Sequence, residues 1–181
     1  IADKGIAVTH VVSNARSLDT LKMDEAGLAP AKAFVDEFAI DVVAPYRMLM
    51  AFVHDPRHHI RSVVAVGSQY GEVAPNPALY GGDLRRSPVQ YGVAKAALHH
   101  MTRELSVRLA PDIRVNCVAY GGFVGRTDAA FQERYARLAP LGLDRQHPLE
   151  LVEVLFGVLQ TQHDRALLQR QVLVEHILLA E

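Results

Sequence analysis

One pair of side chains in this sequence is spaced for proton transfer. Tyr91 is followed four residues later by Lys95, in the segment Tyr-Gly-Val-Ala-Lys. Residues four apart in a helix lie on one face, about one turn apart. The lysine would place a positive charge near the phenol, which favours the phenolate and lets the tyrosine give or take a proton near neutral pH. A solvated helix face is the alternative interpretation of the same spacing.

A serine upstream favours the catalytic interpretation. Ser68 follows the apolar segment Ser-Val-Val-Ala-Val, which predicts a strand over 62–66. Ligands of open α/β sheets bind at the carboxyl ends of the strands, and a serine hydroxyl can both donate to and accept from a substrate oxygen. A lone serine at a strand end is more often a turn or cap residue. Its pairing with a downstream Tyr-x-x-x-Lys helix makes the catalytic role the preferred interpretation.

The elements that must position these residues alternate between strands and helices. Apolar, β-branched segments predict strands over 8–12, 62–66, 113–119 and 172–174. Helical spacing of apolar residues predicts helices over 30–53, 88–109, 128–138 and 148–159. This alternation is typical of βαβ units and a parallel sheet. We therefore expect one α/β domain over residues 1–181, of the Rossmann-like, doubly wound class.

The composition excludes several classes of function. Half of the 181 residues are hydrophobic and the formal net charge is −1, so nothing draws the chain to nucleic acid or to an anionic membrane. No apolar run reaches the roughly 18 residues of a membrane span, and the first residues have no basic region followed by an apolar stretch, so we expect no signal peptide. With Cys117 as the only cysteine, an internal disulfide is impossible. We expect a cytoplasmic protein that binds neither nucleic acid nor a membrane, with Cys117 as a buried core thiol.

Nine histidines raise the question of a metal site. His58 and His59 are adjacent, as are His99 and His100, and neighbours in a helix point in different directions. No His-Glu-x-x-His motif or cysteine pair accompanies them. We therefore assign these histidines structural or surface roles and expect no metal.

The order of the motifs resembles the short-chain dehydrogenase/reductase family from about residue 8 to residue 159. The segment 13–16, Ser-Asn-Ala-Arg, is similar to the family's Asn-Asn-Ala-Gly after a strand. Asp41 lies in the helix that usually carries the family's catalytic asparagine. Gly67-Ser68 matches the serine strand, and Tyr91 with Lys95 matches the active-site pair. The segment 113–122 resembles the family's Arg-Val-Asn strand, which ends in Pro-Gly.

The resemblance implies a role for each matched residue. Tyr91 would be the general acid/base at an alcohol or carbonyl oxygen, Lys95 would tune it and hold the nicotinamide ribose, and Ser68 would orient the reacting oxygen. Asp41 would complete the catalytic set. The cofactor would be NAD or NADP, and it would supply the hydride. The implied cofactor-binding residues are Asn14, Ala15, Tyr91, Lys95, Gly121, Gly122, Val124 and Thr127.

The sequence also departs from the family pattern. The glycine-rich turn, Thr-Gly-x-x-x-Gly-x-Gly, and the strands around it are missing from the N-terminal side, so we expect either sequence before Ile1 or another chain along that edge of the sheet. Asp41 replaces asparagine, Arg16 replaces glycine and Tyr120 replaces proline. An inactive scaffold or partner subunit that keeps the fold is therefore the alternative to an NAD(P)-dependent oxidoreductase.

The segment between Ser68 and Tyr91 carries the features that bear on substrate. Its prolines and the pair Gly81-Gly82 predict a long loop over 71–88. The length resembles that of relatives that modify sugar nucleotides, including reductases of flagellin modification. Tyr80, Arg85 and Arg86 are the candidate substrate residues, because arginines bind phosphate or carboxylate bidentately. A solvated loop with a basic tip is the alternative.

The two long apolar helices, 31–53 and 88–109, bear on assembly. In relatives they pack across a dimer or tetramer axis, so we expect a homodimer or homotetramer; burial within one chain is the alternative.

Overall fold

The computed structural model describes residues 4–121 and 127–138. Its strands are β1 (His10–Ser13), β2 (Ser62–Ser68) and β3 (Arg114–Tyr120). Its α-helices are α1 (Ala31–Phe38), α2 (Ala44–Val53), α3 (Val89–Arg108) and α4 (Ala129–Leu138). The strands form one sheet in the order β1-β2-β3, and both pairings are parallel. The predicted Rossmann-like α/β class is confirmed. The predicted helix 148–159, the strand 172–174 and the residues Gly122 and Val124 lie outside the described residues.

The core lies on one face of this sheet. Val11, Val63 and Val115 are in register across the three strands and are all buried. Leu49 of α2 and Leu105 of α3 pack against them. The segment 8–12 is apolar on both faces, which is typical of a central parallel strand, but in β1 Val12 is 66% exposed. The difference arises because the helices that pack against the sheet in the described part of the chain share this one core.

The predicted helix over 30–53 is interrupted by a wider turn. Residues Ala39–Val43 form a π-helix between α1 and α2, in which the N–H of Ala44 donates to the carbonyl oxygen of Ala39. Pro45 explains the position of the turn, because proline has no N–H to donate to the carbonyl four residues earlier, at Asp41. Such single π turns recur at functional sites. Here the turn carries Asp41, a residue that the sequence placed in the catalytic set.

The loop over 71–88 is ordered by short 3₁₀ turns and side-chain contacts. The turns are Gln69–Gly71, Pro77–Tyr80 and Leu84–Arg86. The hydroxyls of Tyr70 and Tyr80 are 2.9 Å apart. From α4, Arg134 Nε donates to the carbonyl oxygen of Leu79 at 2.8 Å, and Phe131 contacts the Tyr80 ring edge-on. The loop and α4 therefore form one packed unit near the carboxyl end of β2.

Two further features concern burial. Cys117 on β3 is 1% exposed, and burial raises the pKa of its thiol to about 11, as befits the predicted core residue. Within residues 4–121 and 127–138, no helix has both the length and the apolar character that crossing a membrane requires.

Candidate functional site

Lys95 is the centre of the candidate site. Its side chain is buried in α3, one helical turn after Tyr91, and Nζ lies 5.6 Å from the centroid of the Tyr91 ring. Nζ donates to the carbonyl oxygen of Val66 on β2 at 3.1 Å. It also lies 3.1 Å from Oδ2 of Asp41, which is 3% exposed. Three of the four residues predicted as catalytic, Tyr91, Lys95 and Asp41, thus lie around one ammonium group.

The contact between Lys95 and Asp41 is an ion pair by distance only. Asp41 Oδ2 lacks the angular geometry of a hydrogen bond. The two groups still attract each other, because opposite charges 3.1 Å apart in a buried site interact favourably at any orientation. Lys95 has three N–H donors, of which Val66 takes one. The ammonium group therefore keeps donor capacity on the side of Tyr91.

Ser68 ends β2 and is also buried. Its Oγ accepts a hydrogen bond from the N–H of Tyr70 at 3.2 Å, so the hydroxyl hydrogen stays available to donate to a substrate oxygen. Lys95 bonds to β2 two residues earlier, at Val66. The serine and the lysine are therefore held to each other through one strand.

His99 fixes the backbone at Ser68 and was missed as a site residue from the sequence. It is 1% exposed, and its Nε2 accepts the N–H of Ser68 at 3.3 Å. Its Nδ1 lies 2.8 Å from Oε1 of Glu72. An imidazole that accepts at Nε2 carries its hydrogen on Nδ1 and donates it to the carboxylate, so these two bonds set the tautomer. His99 therefore has a structural role, as predicted, and that role concerns Ser68, the predicted catalytic serine.

The glycine at position 67 makes room for this histidine. A Cβ on Gly67 would lie 2.2 Å from His99 Nε2 and 2.7 Å from Cys117 Sγ. Because neither the buried ring nor the buried thiol has space to withdraw, only glycine fits between them. The sequence Gly67-Ser68 is thus explained by packing against α3 as well as by the chemistry of the serine.

Replacing His99 by leucine is expected to lower the free energy of unfolding by about 1–3 kcal/mol, since the buried N–H of Ser68 loses its acceptor. Urea denaturation measures the change. His100→Leu is the matched control, because the neighbouring ring is exposed and should tolerate the same change. Equal stabilities of the two variants would show that the Ser68–His99 bond contributes nothing.

The comparisons with known proteins decide the family. Residues 7–140 match a family model described as enoyl-(acyl carrier protein) reductase. The chain belongs to the short-chain dehydrogenase/reductase family. No curated protein sequence matches the chain.

Solved structures of the short-chain dehydrogenase/reductase fold resemble this one. A short-chain dehydrogenase from Leptospira borgpetersenii with bound NAD⁺ is 21% identical with a TM-score of 0.61, over 83% of this chain and 56% of the other. The 3-quinuclidinone reductase of Rhodotorula rubra is 18% identical with a TM-score of 0.55, over 78% and 51%. An alternative dihydrofolate reductase from Brucella suis in complex with NADP is 23% identical with a TM-score of 0.54, over 72% and 49%. The chain spans about half the length of these proteins.

Those residues assigned to the cofactor by the family resemblance that the structure describes lie at or near the carboxyl edge of the sheet. Asn14 and Ala15 follow β1 and are exposed, and Gly121 follows β3. Thr127 lies at the start of α4, where Gln132 Nε2 donates to its carbonyl oxygen. Because the strands are parallel, these ends meet at the edge that carries Ser68. The exposed positions and the remaining donor capacity of Lys95 fit a dinucleotide at this edge.

Arg16 is the departure from the family that most affects this edge. Its guanidinium group lies over the Tyr91 ring, with Cζ 5.0 Å from the centroid. A cation on the ring face is attracted to the ring and adds a second positive charge beside the phenol. The glycine that the family carries here could not do this.

The predicted substrate residues are held by intramolecular contacts. Arg85 binds Asp83 through two hydrogen bonds of 2.8 Å, and this partner lowers the pKa of the Asp83 carboxyl. Arg86 forms an ion pair with Asp128 at 2.9 Å, which joins the loop to the start of α4. Tyr80 lies between Tyr70 and Phe131. All three stand on the segment that borders the site, with their polar groups already paired.

A cavity of about 670 Å³ lies on another side of α3. Its lining includes Val89, Gly92 and Val93, together with Leu28 and Val73 from two loops. None of the proposed catalytic residues lines it. We therefore place the chemistry at the carboxyl edge of the sheet, while Arg85, a predicted substrate residue, lines the cavity. Among the described residues, no three histidine, cysteine or acidic side chains are grouped as metal ligands.

Proposed function

We propose that the protein carrying this chain is an NAD(P)-dependent oxidoreductase that interconverts an alcohol and a carbonyl group. The observation that carries the proposal is the buried Lys95, which bonds to the strand of Ser68 and lies one turn from Tyr91. The family and the NAD⁺ and NADP complexes of similar folds support the choice of cofactor. We assign no preference between NAD and NADP.

The residues of the chain divide the proton chemistry among them. Ser68 donates its hydroxyl hydrogen to the substrate oxygen and so fixes its position. Tyr91 gives a proton to that oxygen when a carbonyl is reduced, and takes it back when an alcohol is oxidised. Lys95 stabilises the phenolate and offers a donor to a cofactor sugar hydroxyl. The cofactor, when bound, supplies or accepts the hydride.

The experiment that tests the function is a titration of the purified protein with NADH and with NADPH, followed by a panel of carbonyl substrates. Saturable binding of one cofactor and its oxidation by a carbonyl compound support the enzyme. If neither cofactor binds, the proposal fails and the inactive scaffold, our second hypothesis, takes its place. Arg16 and Asp41, which differ from the family pattern, are the residues that favour that outcome.

A sugar or nucleotide sugar is the substrate class that we propose within this function. Ser68 and Tyr91 are 23 residues apart, and the intervening loop with α4 borders the site. Arg85 and Arg86 would have to leave Asp83 and Asp128 to bind a phosphate bidentately. The test compares a nucleotide sugar, the free sugar and a simple ketone as substrates. Faster turnover of the ketone would exclude this class.

We further propose a cytoplasmic homodimer or homotetramer. The exposed side of α3 carries Val89, Val93 and Val107, with exposures of 52%, 44% and 70%, and the apolar cavity borders the first two. Exposed apolar patches of this kind mark interaction surfaces. Sedimentation equilibrium measures the number of chains, and a monomer would contradict the assembly. Fractionation of the source cells tests the compartment.

A further inference from the structure

Below the candidate site lies a buried pair of carboxyl groups. Glu37 and Asp41 are four residues apart, across the junction of α1 and the π turn, and are 1% and 3% exposed. Within the described part of the chain, Lys95 is the buried cation beside them, and its Nζ lies 3.1 Å from Asp41 Oδ2. A buried charge without a partner costs several kcal/mol. Because Lys95 pairs with Asp41, an ionised Glu37 beside this pair would leave one buried negative charge in excess.

The hydrogen-bond contacts around Glu37 provide an independent count of the hydrogens in this region. Thr20 Oγ1 lies 3.2 Å from the carbonyl oxygen of Ser17 and within hydrogen-bond distance of Glu37 Oε2. Thr20 has one hydroxyl hydrogen, so it cannot donate to both oxygens. If Glu37 is protonated, it donates to Thr20, and Thr20 donates to Ser17. Both contacts are then hydrogen bonds.

Buried oxygens without a hydrogen-bond partner also indicate that this region has fewer donor hydrogens than acceptors. In the described part of the chain, the buried side-chain atoms without a hydrogen-bond partner are Glu37 Oε1, Asp41 Oδ2 and Gln90 Oε1. All three are oxygens, and Gln90 belongs to the cluster because its Nε2 donates to the carbonyl oxygen of Thr20 at 2.8 Å. A cluster that has surplus acceptors gains a hydrogen bond when it takes up a proton.

Burial is a stronger influence on the ionisation of Glu37 than any of the charged groups around it. Burial raises the pKa of Glu37, and the negative charge of Asp41 raises it further. Thr20, Lys95 on α3 and Arg16 after β1 act in the opposite direction, but burial outweighs them. Lys95 is held at Asp41 and Val66. Asp41 has Lys95 as its ion-pair partner. The hydrogen-bond partner of Glu37 is instead the Thr20 hydroxyl, which can accept a hydrogen bond from it, so we assign the proton of the pair to Glu37.

We propose that Glu37 and Asp41 hold one proton between them, carried by Glu37, so that the pair presents a single negative charge to Lys95. Glu37 is then a positioning residue, since it acts on Lys95 only through Asp41. This protonation state of the two carboxyl groups is an inference beyond the proposed oxidoreductase function. Its consequence for catalysis, which rests on that function, is that one carboxylate balances the ammonium charge, whereas two would oppose the phenolate of Tyr91.

Infrared spectroscopy tests the proposal directly, because a protonated carboxyl group has a C=O stretch separate from that of a carboxylate. At neutral pH the wild-type chain is expected to show this band, and Glu37→Gln is expected to lose it. Asp36→Asn is the matched control, since Asp36 is an adjacent acid whose side chain is 41% exposed and paired with Lys32. This variant should keep the band. A wild-type spectrum without the band, or a band that survives in Glu37→Gln, would overturn the proposal.

The pH dependence of stability supplies a second test. A carboxyl whose pKa is raised on folding binds more protons in the folded state, so its contribution to stability is full below the ordinary value of 4.5 and falls as the pH rises toward the folded value. Glu37→Gln should remove this fall, and its stability relative to wild type should increase with pH over that window. A difference that does not change with pH would contradict the proposal.

If Glu37→Gln does not fold, carboxyl ¹³C NMR titration of the wild-type chain gives the answer without a variant. One glutamate resonance should then titrate well above the others. A spectrum in which every glutamate titrates near its ordinary value would overturn the proposal. None of these measurements uses cofactor or turnover, so their failure is distinguishable from failure of the proposed function.

Discussion

Replacing Tyr91 by phenylalanine is expected to lower kcat by about 10²- to 10⁴-fold, the usual contribution of a general acid or base. Phenylalanine keeps the ring that lies between Arg16 and Lys95, so folding and cofactor binding should change little. The loss should therefore appear mainly in kcat, with a smaller change in cofactor affinity, because Tyr91 is among the residues that the family resemblance assigns to the cofactor. Steady-state kinetics, followed by the absorbance of the reduced nicotinamide, measures both.

Tyr46→Phe is the control for this experiment. Tyr46 lies on α2, is 44% exposed and loses the same hydroxyl group. It should retain full activity. Near-normal turnover by Tyr91→Phe would remove Tyr91 from the mechanism, even if the protein proves to be an oxidoreductase.

Replacing Lys95 by methionine is expected to lower the free energy of unfolding by about 3–5 kcal/mol, the usual cost of removing one partner of a buried ion pair. Methionine preserves most of the apolar length of the side chain. It removes the ammonium group that faces Asp41 and the donor to the carbonyl oxygen of Val66. Such a loss is a large part of the stability of a typical domain. Urea denaturation at neutral pH measures it.

Two further variants separate charge from packing. Asp41→Asn in the Lys95→Met background removes the buried charge, and it should recover part of the lost stability. Lys32→Met breaks an exposed ion pair with Asp36 and should have no measurable effect. If the single variant Lys95→Met is as stable as the wild type, the buried pair does not stabilise the fold.

The parts of the site that the sequence predicted well depend on local periodicity. Tyr91 and Lys95 share a helix face because they are four apart, and Ser68 reaches the sheet edge because its strand ends there. The strands and helices within the described residues were placed within about two residues for the same reason. Local spacing was therefore enough to predict Tyr91 and Lys95 on one helix face and Ser68 at the end of a strand.

Contacts between distant segments were not predictable in this way. His99 follows Lys95 by one turn, a spacing that could have indicated a shared face, but its bond to Ser68 depends on how α3 packs against β2. Glu37 likewise precedes Asp41 by four residues, yet its burial depends on Thr20 and Gln90. The pairing of Arg86 with Asp128 depends on the position of α4. Residue spacing contains no information on such tertiary partners.

The attachment of β2 to α3 has a consequence for which sequence changes this protein can accept during evolution. Lys95 and His99, one turn apart on α3, bond to the backbone of Val66 and Ser68 at the end of β2. The alignment of Ser68 with Tyr91 therefore depends on one strand and one helix, and within the loop between them on Glu72, which fixes the tautomer of His99. On the proposed function, changes in the loop after Glu72 can alter which molecules are accepted while the reacting groups stay aligned. If the proposed function holds, selectivity and chemistry can evolve as separable traits, with the first encoded in residues 73–88 and the second outside them.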